Sequence, residues 1–440
     1  MADTFRKYRA LLLICSGLLF AVTHSVAAET SQYRGIWGAI EAALKFHPAI
    51  AGQQASLEAS SWGEQAARSG RLPNLSLSAD NLYDDDLATV TLQQPLLTFG
   101  KLSSAIELAQ AERRAEDVGL LQIRRDLVEA TSQAYIAIDA LRRQLHIAQQ
   151  NTRDHQQLYD RIERRRDGGL ASDADVQLAL GRLLWAQSTE QNYQGQLAVA
   201  ETSLLALTQV PVDSTEAVPE QGWLPGNEQQ IQYDALQTSA DLQYQREQVV
   251  IADKTANQQR YSSMPTLYLQ LERDMPNQTS DEDDDQMRSG LSLEASFAGL
   301  GVSNYAQTKA AVASKRAAEQ SLYVTEVNLR QQVSSLLLNR QMQQLLQHSQ
   351  ELTVDALKQT LDSFVRQYET GRKTWLEVLN AQREWVYGQL ELATIKSTLL
   401  DASLQLASMA GYLDERSGVP ALAPEPVTPV PKPMPINRYH

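Results

Sequence analysis

Thiols are almost absent from this chain of 440 residues. Its one cysteine, Cys15, leaves no partner for a disulfide and no thiolate set for a metal. Aromatic residues make up only 6%. No apolar run reaches the roughly 18 residues that a membrane-spanning helix needs. There is no G-x-x-x-x-G-K-[ST] phosphate loop, no G-x-S-x-G elbow and no zinc pattern, and the six histidines include no H-x-x-x-H pair. His348, on a polar helix face, reads as inert. These absences exclude a disulfide scaffold, a helical membrane bundle and the commoner hydrolase and nucleotide-driven chemistries. The chain reads as no enzyme, with no cofactor and no metal, so any energy it uses comes from a partner. Basic charge is also short: the formal net charge is −14, which argues against nucleic acid as a partner.

The N-terminus has the form of an export leader. Arg6, Lys7 and Arg9 precede the apolar stretch 11–22, and Val26-Ala27-Ala28 is a small-x-small cleavage site. The expected mature chain starts at Glu29. Losing Asp3, Arg6, Lys7 and Arg9 removes a net +2 and leaves −16. Cys15 then goes with the leader. Ile14 before it is not the small residue that a lipid-modification signal places there.

Proline is missing from 101–167 and from 303–370. Gln, Ala, Leu and Arg are abundant, a composition that favours long helices. At 1.5 Å per residue each proline-free stretch would reach roughly 100 Å. Leu338, Met342, Leu345, Leu352 and Ala356 follow coiled-coil steps, with Ser349 in the skipped slot. A second stripe runs through Leu346, Leu357, Leu361 and Phe364. Two stripes suit a helix with two neighbours in a ring; one broad buried face in a bundle fits the same spacing. Shorter helices are expected at about 173–208 and 376–412, and helical segments at 38–69 and 234–260.

The chain is doubled. RLPNLSLSAD (71–80) matches SMPTLYLQLE (263–272), and QQPLLTFGKLSSA (93–105) matches EASFAGLGVSNYA (294–306). RDGGLASDADVQLALGRL (166–183) matches YETGRKTWLEVLNAQREW (368–385), with Gly169 on Gly371, Asp175 on Glu377, Val176 on Val378 and Ala179 on Ala381. Each copy opens with period-2 alternation. Leu75 and Leu77 alternate with Ser76 and Ser78, and Leu267, Leu269 and Leu271 with Tyr268 and Gln270. Four strands in two hairpins follow, each with one apolar and one polar face. Each strand is about ten residues, the length that crosses an outer membrane when tilted.

Boundaries follow from the doubling. Residues 1–28 are a signal peptide. Residues 29–210 are the first repeat, with strands at about 73–83 and 88–97 and a helical hairpin tip at 168–175. Residues 211–233 are a linker. Residues 234–413 are the second repeat, with strands at about 265–275 and 286–297 and a tip at 370–377. Residues 414–440 form a Pro-rich tail, read as extended and disordered. Four strands cannot close a barrel, which needs about eight, and open sheet edges are very costly in lipid. A membrane-inserted form must therefore oligomerise; a dimer would supply eight strands and a trimer twelve.

The doubled plan, the PNLSL and PTLYL strands, the QQPLLTFGK junction and the two tips resemble the TolC family of outer-membrane factors, over about residues 35–413. The resemblance implies a mostly α-helical fold with a small β part. A homotrimer would form a 12-stranded transmembrane β-barrel continued by a periplasmic α-helical barrel. It implies an exit duct in the outer membrane, in contact with its lipid. The partners would be a periplasmic adaptor (membrane fusion protein) and an inner-membrane ABC or proton-driven transporter. It places the adaptor-contact tips at Gly169, Leu170, Ala171 and Ser172 and at Gly371, Arg372, Lys373 and Thr374. It places a periplasmic gate at Tyr368, Lys373, Glu377, Asn380 and Asp175, with a Lys373 to Asp175 contact between neighbouring hairpins. Asn380 stands where relatives can carry a second acid. The bland alternatives are that any helical hairpin turns on glycine and that Glu377 and Lys373 sit on a solvated face.

Three functions remain open at this point. One is type I secretion of a large protein such as an adhesin or toxin, which WLEVLNAQREW and the missing lipid signal favour. Another is multidrug or metal efflux. The last, of a different class, is a periplasmic coiled-coil scaffold. The acidic runs DDD (84–86) and DEDDD (281–285) lack the spacing and glycine of a calcium loop and read as solvated outward loops.

Overall fold

The computed structural model describes residues 33–81, 86–220, 222–276 and 287–420. The expected leader, the acidic run 281–285, Asp84 and Asp85, and the Pro-rich stretch from 421 lie outside the described residues. The elements are α1 (Gly35–Phe46), α2 (Pro48–Ser69), β1 (Asn74–Asn81), β2 (Asp86–Leu97), α3 (Lys101–Asp167), α4 (Asp173–Thr208), α5 (Glu228–Thr238), α6 (Ala240–Tyr261), β3 (Thr266–Pro276), β4 (Met287–Glu294), α7 (Val302–Glu369), α8 (Trp375–Met409) and α9 (Asp414–Ser417). A short 3-10 turn, Ala298–Gly301, precedes α7.

The long helices run where proline is missing: α3 has 67 residues and α7 has 68. Two expected helices are each split in two. His47 takes extended backbone because Pro48 follows it. Ser239 leaves the helix to cap α6, its hydroxyl accepting from Leu242 N. Helix α5 begins at Glu228, inside the expected linker. Among the described residues no helix is long and apolar enough to cross a membrane.

The chain forms two compact units, and each unit draws on both repeats. One comprises 48–125 and 232–334; the other comprises 33–47, 126–231 and 335–419. The first holds a four-stranded antiparallel sheet in the order β1-β2-β3-β4. The two hairpins join through β2 and β3, where Leu92 pairs with Leu271 and Thr91 with Glu272. Leu75 pairs with Leu92, and Leu269 with Leu291. Directly paired residues share a face. Leu75, Leu77, Val90, Leu92, Leu267, Leu269, Leu271, Leu291 and Leu293 therefore all lie on one face, with Gln94, Ser289 and Arg273 as polar members. Ser76, Thr91, Gln93, Gln270, Glu272, Arg288 and Glu294 lie on the other. There Glu272 meets Arg288 at 3.3 Å and Gln93 meets Glu294 at 3.2 Å. The apolar face is bare in the single chain; Leu291 is 67% exposed. The sheet ends at β1 on one side and β4 on the other, so two edges are left unpaired in this sheet.

The second unit holds α1, α4, α8 and the linker. The Tyr135 hydroxyl, fully buried, donates to Glu216 O at 2.7 Å. Burial, reinforced by the charge of Glu216, pushes its pKa up to about 12, so it remains a donor. Arg142 bonds the Ser214 carbonyl and hydroxyl. Trp37 of α1 lies 5.6 Å from Trp223, with the Arg416 guanidinium 4.8 Å from its ring. The start of the described chain, the linker and its end are thus packed together.

The two stripes on α7 have separate fates. Leu361 is buried with Val378 and Ala381 of α8, and Phe364 packs against them. Leu357 closes on Gly388, where an added Cβ would stand 3.3 Å from Leu357 and from Val354. The stripe Leu338, Met342, Leu345 and Leu352 is exposed throughout, Leu345 to 72%. Leu346, at the head of the inner stripe, is exposed as well. One stripe serves the chain's own hairpin and the other is unpartnered in the chain.

Tyr135→Phe removes the hydrogen bond that ties the linker to α3. The expected loss is about 1–2 kcal/mol. It is read as a lower melting temperature in detergent and faster proteolysis within 211–227.

Candidate functional site

Both helical hairpins reverse by the same device, built from glycine and a hydroxyl. At the first tip Gly169 N donates to Arg166 O and Leu170 N to Arg165 O, at 2.8 and 2.7 Å. At the second, Gly371 N donates to Tyr368 O and Arg372 N to Gln367 O, at 3.0 and 2.9 Å. The second bond of each pair spans five residues, the pattern that closes a helix through a left-handed residue. Gly169 and Gly371 each have φ +73°. Nothing lies within 4 Å of a Cβ built on either, so conformation, not space, requires glycine there.

The next helix begins three residues later with a reciprocal cap. Ser172 accepts from Asp175 N, and the Asp175 carboxylate accepts from Ser172 N and Oγ. Thr374 and Glu377 repeat the arrangement, with Glu377 Oε2 2.9 Å from Thr374 N. The recurring acid is therefore a capping residue. The recurring valines are core: Val176 packs with Ile162, Ala179, Trp375 and Leu379, and Val378 with Leu361 and Ala381. Capping and packing account for the repeated acid–valine pair without any partner.

The remaining candidates sort by environment. Leu170 and Arg372 are exposed at the two turns, and Ala171 is partly buried against the Trp375 cluster. Lys373 Nζ donates to Glu377 Oε1 at 2.6 Å and lies 4.4 Å from the Phe364 ring centre. Within the chain Lys373 thus pairs with Glu377, while Asp175 is engaged by Ser172. Tyr368 is held between the hairpins: its ring is 5.6 Å from Trp375 and 5.1 Å from the Arg165 guanidinium. Asn380 is half-buried on α8.

Several residues that join the hairpins were not singled out from the sequence. Arg161 reaches Glu369 at 3.7 Å, and Gln382 Nε2 donates to Asp154 at 3.0 Å. Trp375 is 7% exposed, and its buried Nε1 has no partner among the described residues. The S/T-x-x-D/E spacing could have revealed both caps. Nothing in the local sequence signals which residues meet across 200 positions. Among the described residues no three His, Asp or Glu side chains gather as metal ligands.

Glu377 carries the largest carboxylate shift at the tip. The Lys373 ammonium, then the Thr374 backbone and hydroxyl, lower its pKa to about 2. Asp175 is also lowered, by the Ser172 hydroxyl and backbone.

One family model matches the chain twice, at residues 39–208 and 231–412, under the description outer membrane efflux protein. The chain belongs to the outer membrane efflux protein family. The two matched segments coincide with the internal doubling and together span most of the chain. Members of this family are channels and not enzymes. Solved relatives share the fold. VceC of Vibrio cholerae, an outer membrane protein, aligns with TM-score 0.73 at 20% identity, over 85% of this chain and 95% of that one. The CmeC outer membrane channel of Campylobacter jejuni aligns with TM-score 0.75 at 13% identity, over 87% and 89%. CusC, described for transmembrane channel formation, aligns with TM-score 0.72 at 19% identity, over 85% and 91%. No curated protein matches this efflux-family chain.

Two outcomes are expected at the tips. Gly371→Ala forces a Cβ into left-handed backbone and costs about 1 kcal/mol, whereas Gly371→Asn costs less; thermal melts of the two variants check this. The folded pKa of Glu377 lies below its unfolded value. Its stabilisation is therefore full above pH of about 4.5 and is lost as pH falls toward 2. The melting difference between the natural chain and Glu377→Gln should stay constant from pH 7 to 5 and shrink only below that range.

Proposed function

We propose that this chain is the outer-membrane exit duct of a tripartite export system. Three copies build a 12-stranded barrel, and the long helices form a periplasmic conduit below it. The observation that carries the reading is the sheet: four strands, one apolar face and two unpaired edges. In lipid such a sheet is tolerable only when copies close it edge to edge. The bare Leu338–Leu352 stripe on α7 supplies a second surface for a neighbouring copy. Membership of a channel family supports the same assembly. The soluble coiled-coil scaffold has no use for the apolar sheet face.

The tips are the periplasmic end. Leu170 and Arg372 are the exposed contacts offered to an adaptor hairpin, and Gly169, Ala171, Ser172, Gly371 and Thr374 shape the turns that present them. Tyr368, Lys373, Glu377, Asn380 and Asp175 form the gate region. Because Glu377 is paired with Lys373 in each copy, the ring they would form carries little net charge while closed.

The substrate we assign is a protein exported by an ABC transporter in type I secretion. The similarity of WLEVLNAQREW to the adhesin-exporting branch and the lack of a lipid-attachment signal support it. The family description favours a second reading, small-molecule or metal efflux with a proton-driven transporter. Deleting the gene decides between them. Loss of one large secreted protein at unchanged drug and metal tolerance supports secretion, and the reverse supports efflux.

Light scattering of the detergent-solubilised chain should give three copies; a monomer in the periplasmic fraction would sink the duct. Photocrosslinkers at positions 170 and 372 should capture an adaptor. In planar bilayers Lys373→Ala should raise cation selectivity by unmasking Glu377, and Glu377→Ala should lower it. Equal selectivity in both variants removes the pair from the constriction.

A further inference from the structure

Only three non-glycine residues in the described chain have positive φ: Phe99 (47°), Gln209 (59°) and Leu300 (56°). Gln209 caps α4, an ordinary place for such backbone. The other two occupy the same place in the two repeats. Phe99 lies between β2 and α3, and Leu300 lies between β4 and α7. In the alignment that sets Gly100 on Gly301, Phe99 falls on Leu300. Left-handed backbone is disfavoured for any residue with a Cβ, and bulky residues rarely adopt it. Glycine would serve, and the chain uses it next door at Gly100, Gly299 and Gly301, all with positive φ. Both junctions instead spend the position on a large apolar side chain.

Those side chains are not core. Leu300 is 98% exposed and Phe99 is 46% exposed. Two unfavourable features, strained backbone and bare apolar surface, coincide at both junctions. An observed outlier of this kind points to a function. Neighbouring side chains indicate which one. Leu96, Phe297 and Val302 are exposed beside the pair. On one side the apolar sheet face begins, with Leu293 on β4 exposed too. On the other side come exposed Lys101, at the start of α3, and Tyr305 and Lys309 on α7. Lys309 Nζ lies 5.4 Å from the Tyr305 ring centre. Tyr305 and Lys309 follow Leu300 by five and nine residues, about 7 and 13 Å along a helix. Apolar surface therefore gives way to aromatic and then cationic groups in the order in which acyl chains give way to headgroup phosphates.

We propose that the Phe99 and Leu300 junctions are paired lipid anchors. They seat the two strand-to-helix corners of each copy in the periplasmic boundary of the bilayer, with Lys101 and Lys309 facing lipid phosphates. This rests on the membrane insertion of the sheet.

Site-directed spin labels test it in the reconstituted full chain, in vesicles of phosphatidylethanolamine and phosphatidylglycerol. Labels are placed singly at Leu300→Cys, Phe99→Cys, Phe297→Cys, Tyr305→Cys and Leu291→Cys, with Arg372→Cys as the aqueous standard. Phe297 has φ −124°, so its label adds no backbone strain if the other two disturb folding. At positions 99, 297 and 300, relaxation by oxygen should exceed relaxation by a water-soluble nickel complex severalfold. The ratio should decline from 291 through 300 to 305. Nickel access at 99, 297 and 300 with 291 in lipid overturns the anchors and leaves the duct standing. Shielding from both reagents means that another copy of the chain covers the junctions, and also overturns the proposal. Nickel access at 291 as well removes the inserted sheet and the anchors together.

Discussion

A β-sheet edge has no place in hydrocarbon, because each unpaired amide and carbonyl there lacks both water and a partner. This chain carries a sheet with two such edges and an apolar face beside them. The constraint reaches far beyond the strands. In the proposed assembly it makes the single chain incomplete in a membrane, and the bare α7 stripe is then a second surface for a neighbouring copy. The doubling of the sequence is what makes the sheet four strands wide. β2 and β3, from different repeats, pair over Leu87–Leu97 and Leu267–Pro276 with one irregularity between Pro95 and Leu97. Pro95 has no amide to donate, so a break in the ladder falls where a ladder bond is missing anyway.

At the other end of the helices the physics is of a different kind. Each hairpin turn satisfies its own helix ends: a left-handed glycine closes one helix and a hydroxyl–carboxylate pair opens the next. The turns are therefore locally rigid, and their freedom lies in how one hairpin packs on the other. That contact is centred on Trp375 and Tyr368, with Arg165 over the tyrosine ring and Arg161 and Gln382 making polar links. The indole Nε1 of Trp375 is buried with no acceptor among the described residues. Lys373 and the helix cap both favour the ionised form of Glu377 and lower its pKa to about 2.

Much of the architecture was legible residue by residue. The proline-free stretches bounded α3 and α7, and period-2 leucines located the strands. The glycines of the repeated motif marked both turns. The capping roles of Asp175 and Glu377 were equally legible in their spacing from Ser172 and Thr374, whereas the family resemblance set both acids in the gate region without their caps. Tyr368 was placed at the gate without its ring contacts, since Trp375 is seven residues away around a turn and Arg165 is 203 positions away. The expected Lys373 to Asp175 contact has no counterpart within the chain. Lys373 lies one helical turn from Glu377, and the nearer acid captures it.

The sequence by itself determined what is set by neighbours along the chain. That covers helix against strand, the reversal points, the export leader as an expectation, and an apolar alternation that only a membrane or a partner would cover. Tertiary structure decided what depends on residues far apart. It chose β2 with β3 as the seam, brought the leucines of four separate strands onto one face, and assigned the inner α7 stripe to α8 while leaving the outer one bare. The reason is that periodicity records which side chains are apolar and how they are spaced, but not what they touch. Register across the β2–β3 seam and the choice between two leucine stripes are fixed only when the long-range contacts form together.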